Sequence, residues 1–243
     1  MADRLPDSRG GNRDFPSTSW SLVSGLRQAS PELRQKALES LCTRYWNPVL
    51  HYVRRAWSKT HEDAKDLTQG FFLELLEGDA LRKYSPDRAS FRTYLKMLLS
   101  RYSADQNDLR IALKRGGGRR IVPIDAGESS LQLADPQAES PEKVFDQAWK
   151  AEIFKGALER ARRHFSETKR DLQFLAFVKY ELSNAKNLTY ADIAEELGLQ
   201  ESDIRNYLVT VKERFREDVR AELADTVGDV SQLEDEFNSL FGG

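Results

Sequence analysis

Asp63 and Asp66 stand three residues apart in a helical segment, the nearest approach in this chain to a carboxylate pair for acid–base or metal work. Their neighbours Glu62 and Lys65 suit an ordinary solvated face better, and a protein-contact face is the remaining reading. Other enzyme signals are weak. His51, His61 and His164 lie at no metal-ligand spacing, and Cys42, the only cysteine, excludes an internal disulfide or a cysteine-cluster zinc site. No nucleophile elbow, zinc-protease pair, zinc-deaminase pattern or dinucleotide-binding glycine fingerprint is present. Arg115-Gly116-Gly117-Gly118-Arg119 lacks the Gly-Lys-Ser/Thr ending of a phosphate-binding loop and reads as linker. The sequence therefore offers no catalytic residue, metal ligand or cofactor site.

Binding chemistry is better represented. From Tyr190 to Phe215, Ala194, Gly198 and Ile204 fall where a helix-turn-helix needs a small packing residue, a turn glycine and an apolar anchor. Ile193, Leu197 and Leu199 fill the core between the two helices, and Leu208, Val211 and Phe215 extend the buried face of the second. Its other side offers Arg205, Asn206, Thr210, Lys212, Arg214 and Arg216 to phosphates and base edges. Asp203, Glu213, Glu217 and Asp218 oppose them, so the affinity of this element alone is expected to be modest. Earlier, Phe91, Tyr94 and Tyr102 are interleaved with Arg82, Lys83, Arg88, Arg92, Lys96 and Arg101, the combination of cations and rings that single-stranded nucleic acid requires. Phe91 starts an apolar stripe and belongs in the core, which leaves Tyr84 and Tyr94 as the ring contacts expected at the surface.

The elements that must position these residues read as helices, because apolar residues recur every three or four positions. Ser30-Pro31-Glu32 opens a helix striped by Leu33, Ala37, Leu38, Leu41 and Tyr45, with Pro48 expected to interrupt it near Trp46. Thr60 to Asp63 resembles a capping box for a helix faced by Ala64, Leu67, Phe71 and Leu75 and ending near Gly78. Another runs from about Ser90 towards Leu113, and periodicity returns at Phe145 and Trp149. The chain of 243 residues thus predicts an all-α protein of two small helical domains joined by a flexible linker. Their limits are 15–114 and 145–226, with the linker at 115–144, a disordered N-terminus at 1–14 and an acidic tail at 227–243.

Charge divides in the same way. Residues 1–120 hold 22 Lys/Arg against 14 Asp/Glu, whereas residues 121–243 hold 15 against 25. A polyanion-binding front half and an acidic end follow. That end, with Glu234, Asp235 and Glu236 before Phe237, Leu240 and Phe241, either frays in solvent, folds over the basic surface or docks a partner. No run approaches the ~20 apolar residues of a membrane span, and Met1 to Asp14 lacks the apolar stretch of a signal peptide, so a cytoplasmic location without membrane contact is expected.

The two binding regions, their order and the segments around them resemble the extracytoplasmic-function class of alternative sigma factors of bacterial RNA polymerase. The chain is similar to the subset opening with Phe-Pro-x-Thr-x-Trp-Ser-Leu-Val, read here at Phe15 to Val23. Glu62-Asp63-Ala64-Lys65-Asp66-Leu67-Thr68-Gln69-Gly70-Phe71-Phe72 resembles the family's polymerase-binding helix. Phe91 to Leu95 and Lys114 to Gly118 resemble its promoter-melting segment, and Leu188 to Leu223 its minus-35 domain. The resemblance implies a region 2-like bundle and a region 4-like helix-turn-helix domain, with no catalysis by the chain itself.

It implies that Asp63, Asp66, Gln69, Phe72 and Leu76 dock on the clamp coiled coil of core RNA polymerase. Arg82, Lys83, Tyr84, Arg88, Arg92, Tyr94, Lys96 and Arg101 would then hold the separated minus-10 strand. Ser202, Arg205, Asn206, Thr210, Lys212, Arg214 and Arg216 would meet double-stranded minus-35 DNA. An inhibitory anti-sigma protein is a further partner implied in this way. Gly70 departs from the family pattern at the cost of about 1 kcal/mol of helix propensity and one polymerase contact, and Val209, Thr210 and Gln200 depart from it in the minus-35 domain, weakening the expected minus-35 affinity more than the fold. The alternative is a repurposed sigma-like scaffold that binds polymerase or a regulatory protein without productive promoter recognition.

Overall fold

The computed structural model describes residues 31–58, 60–85, 88–115, 139–183, 188–224, 226 and 230–241. The string from Phe15 to Val23, the expected disordered N-terminus and linker residues 116–138 lie outside them. The described residues form helices and their connections, with no strand among them.

Helix α1 spans Pro31–Trp57 and runs through Pro48 without ending. The expected interruption does not occur. Proline removes one backbone donor and crowds the preceding turn, at about 3 kcal/mol. Opposing that, Leu41, Tyr45, Val49, Leu50 and Val53 are all buried on both sides of the proline, each side chain contributing roughly 1.5–3 kcal/mol. Helix α2, His61–Glu77, starts at Thr60, whose side chain accepts from the Asp63 N–H, and stops at Gly78 as expected. The short α3, Ala80–Lys83, leads into α4, Phe91–Arg115.

Helix α5, Pro141–Glu167, begins four residues before Phe145. Its start is the same device read at Ser30: Ser140 caps the Lys143 N–H, Pro141 takes the first turn and Glu142 supplies an acid there. Residues 141–144 therefore belong to a helix and not to the linker. Helix α6, Asp171–Phe177, continues into one π turn, Val178–Leu182. Helix α7, Tyr190–Leu197, precedes α8, Glu201–Ala224, and α9, Val230–Phe241, closes the described chain.

Two hydrophobic cores result, but their division differs from the one expected at residue 145. The first gathers Leu41, Tyr45, Phe71, Phe91, Leu95 and Leu99 together with Phe145, Trp149, Ile153 and Ala157 of α5 and Val219 and Leu223 of α8. The second holds Phe165, Ala176, Phe177, Ile193, Ala194, Ile204, Leu208 and Val211. Helices α5 and α8 each place one half in either core. The alternation of Phe145, Trp149 and Ile153 with charged residues marks a buried face correctly, yet periodicity alone cannot name the partner of that face.

Candidate nucleic-acid interface

The second core presents the helix-turn-helix. Thr189 caps α7 by accepting from the Asp192 N–H, and the Asp192 carboxylate accepts in return from the Thr189 N–H at 2.8 Å and Oγ1 at 2.6 Å. These bonds hold the Asp192 carboxyl below its ordinary range. Gly198 ends α7 at φ 67°, ψ 37°, where a Cβ is strained, and the Leu199 N–H closes the turn on the Ala194 carbonyl at 2.8 Å. Ala194, Gly198 and Ile204 therefore occupy the packing, turn and anchor positions that their spacing predicts. The Asp203 carboxylate accepts from the Gln200 N–H at 3.1 Å, so this acid caps α8 as well as opposing the cations on its surface.

On α8, Ser202, Arg205, Asn206 and Arg216 are exposed. Thr210 is half-buried and donates its hydroxyl to the Asn206 carbonyl at 3.0 Å. Lys212 pairs with Glu181 of the π turn at 2.6 Å. Arg214 corrects the expectation of a free DNA contact: its Nε and Nη2 both reach the buried Asp218 carboxylate at 3.0 Å, and its Nη1 lies 3.1 Å from His164 Nδ1. The carboxylate in turn raises the arginine above its already high ordinary range. Arg214 holds α8 against α5. The signal was present in the sequence, since Arg214 and Asp218 are one helical turn apart. Val209, 52 % exposed, adds an apolar group between Arg205 and Arg216.

The basic region around α3 and α4 divides into free and engaged cations. Lys83, Arg88 and Arg101 are exposed, and Arg82 is exposed while pairing with Asp79 at 3.6 Å. Tyr84 is a correction: it is 2 % exposed, packs edge-on against Phe91 and donates its hydroxyl to the Ala89 carbonyl. Tyr94 is half-buried against Tyr84 and donates to the Ala80 carbonyl at 2.8 Å, with burial pushing its phenol up. Both rings thus brace α3 against α4 instead of standing free. Phe91 and Tyr102 are buried.

Arg92 and Lys96 are engaged most deeply. The Arg92 guanidinium lies 4.3 Å from the Trp149 ring centroid, 3.2 Å from Asp146 of α5 and 2.6 Å from Glu236 of α9. Lys96 Nζ meets both Asp146 oxygens, at 2.9 and 3.0 Å. Partners 50 and more residues away left no local signal of this, because sequence spacing reports only neighbours on one helix.

On α2, Asp63, Asp66 and Gln69 are exposed, as a contact face requires. Phe72 is 4 % exposed and stacks on Trp46, and Leu76 is half-buried against the first core, so neither presents the apolar side of that face. Leu73 does, at 50 % exposure, and at spacings of seven and four it shares a helix side with Asp66 and Gln69. It could have been found as the leucine lying opposite the Ala64, Phe71 and Leu75 stripe.

No group of His, Cys, Asp and Glu among the described residues could hold a metal ion, and no described helix is long and apolar enough to cross a membrane. The chain matches no model of a known protein family and no curated protein.

Proposed function

We propose that the chain is a promoter-specificity subunit of the sigma type, binding core RNA polymerase and promoter DNA and making no bond itself. The observation that carries this reading is the α7–α8 pair: a left-handed glycine turn, a capped first helix and a second helix with Arg205, Asn206 and Arg216 exposed along one side. A helix of this kind fits a major groove, where Arg205 and Asn206 can pair with base edges and Arg216 with phosphate. Lys83, Arg88 and Arg101 are exposed cations of the α3–α4 region, of the kind an unpaired strand requires. Contacts made only with separated strands favour the melted promoter, so binding energy drives opening.

The exposed Asp63, Asp66, Gln69 and Leu73 side of α2 would take the polymerase clamp. The test is to mix the chain with sigma-free bacterial core polymerase, isolate the complex by size exclusion and sequence the transcripts it starts on genomic fragments. Co-elution and starts sharing two spaced motifs are expected, with co-elution reduced at least tenfold by joint Asp63→Lys and Asp66→Lys substitution. Absence of co-elution would remove the reading. Co-elution without specific starts would favour the repurposed scaffold, for which the engaged state of Arg92 and Lys96 speaks.

A further inference from the structure

Helix α9 carries Glu234, Asp235 and Glu236 and no basic residue. It packs on α8 and reaches the start of α4. Arg220 of α8 stacks its guanidinium 4.0 Å from the Phe237 ring centroid and reaches Glu234 at 3.7 Å, while Leu233 and Phe237 pack against the first core. This seats Glu236, itself buried, on Arg92. The Arg92 side chain retains 13 % of its exposure and Lys96 20 %, so the two innermost cations of the basic region face carboxylates and not solvent.

We propose that α9 is a built-in phosphate mimic: its Glu236 carboxylate occupies the Arg92 guanidinium that a nucleic-acid phosphate would otherwise take, and the surface opens when α9 leaves. The inference rests on the reading of α4 as a nucleic-acid surface. A carboxylate and a phosphate present the same planar pair of acceptors to a guanidinium, so the two compete for one group. The helix is suited to release, because at 12 residues it has little stability apart from the surface it packs on. Asp146 lies on α5, whose Phe145 and Trp149 are fully buried, and it stays in place when α9 departs. Removal of α9 therefore adds one cation, Arg92, whose remaining partner leaves part of its donor fork free.

The test is fluorescence anisotropy of a labelled single-stranded oligonucleotide with the full chain, with Glu236→Gln, with Phe237→Ala and with a chain ending at residue 226, at several salt concentrations. Phe237→Ala loosens α9 without changing its charge, which separates masking from simple repulsion. Hydrogen exchange on α9 reports release directly. All three variants are expected to bind at least fivefold more tightly than the parent, and the truncated chain should show a salt slope steeper by about 0.7 for one added phosphate contact. Arg92→Ala in the truncated chain should abolish the gain. Unchanged affinity in a variant whose α9 exchange shows release would overturn the inference while leaving polymerase binding and promoter selection intact. No binding by any form would overturn it together with the nucleic-acid role of α4.

Discussion

A Cβ at position 156 would lie 2.8 Å from the Glu222 carboxyl carbon and 3.0 Å from both its oxygens, so glycine there is required by close approach. The carboxylate cannot swing aside freely, because Arg44 holds it at 3.2 Å from α1 and Arg160 at 2.5 Å from α5. This one side chain ties three helices together at the edge of the first core. Glu222→Ala leaves two partly buried guanidinium groups facing each other and is expected to lower stability by about 2–3 kcal/mol in urea unfolding. Gly156→Ala alone should destabilise, despite the ~1 kcal/mol that alanine ordinarily gains over glycine inside a helix. Combined with Glu222→Ala, the same substitution should become stabilising, since the obstructing carboxylate is gone. Additive effects in that double-mutant cycle would contradict the geometry.

Among the elements, α7 depends most visibly on a charge at its start. The carboxyl of Asp192 is held below its ordinary range by the hydrogen bonds from Thr189, so it contributes stability above its unfolded pKa. That contribution falls away as pH drops through the folded pKa, in the acid limb below about pH 4. Asp192→Asn should therefore narrow the stability difference between pH 6 and pH 3, measured by urea unfolding at each pH, while an unchanged difference would remove the capping role. The glycine turn that follows this cap was legible because it depends on residues four apart, whereas the cap itself went unread although Thr189 and Asp192 are only three apart. The start of α2 at Thr60 and its stop at Gly78 were legible for the same reason. Pro48 was misleading because its local penalty was visible, while the apolar residues on either side of it gave no measure of how completely Tyr45, Val49 and Val53 would be buried to oppose it. The rings of Tyr84 and Tyr94 were misplaced likewise: an aromatic residue between cations has the same local pattern whether it stacks on a base or, as here, on its neighbour across a turn.

At the scale of the molecule, the expected pair of separately closed domains gives way to two cores threaded by the same two helices. Trp149 is fully buried in the first core, and its helix continues to Phe165 in the second. Unfolding in urea should accordingly follow one transition, with far-ultraviolet dichroism and tryptophan fluorescence coinciding. Trp149→Ala should cost roughly 3–5 kcal/mol and loosen both cores together. A helix-turn-helix core that outlasts the first in that variant would show the cores to be independent. The all-α class was legible from periodicity, while the sharing of α5 and α8 was not, because it depends on which buried faces meet across more than a hundred residues of chain.

The threading also bears on the order in which the protein is made. Val219 and Leu223 complete a core whose other members begin at Leu41, so the apolar faces of the first described helices stay partly uncovered until more than nine-tenths of this chain has been made. The helix-turn-helix core draws its buried members from Phe165 to Val211, so all of them are made before Val219 and Leu223. The nascent N-terminal half, whose core stays incomplete for the greater part of synthesis, is thus the part with most need of a chaperone.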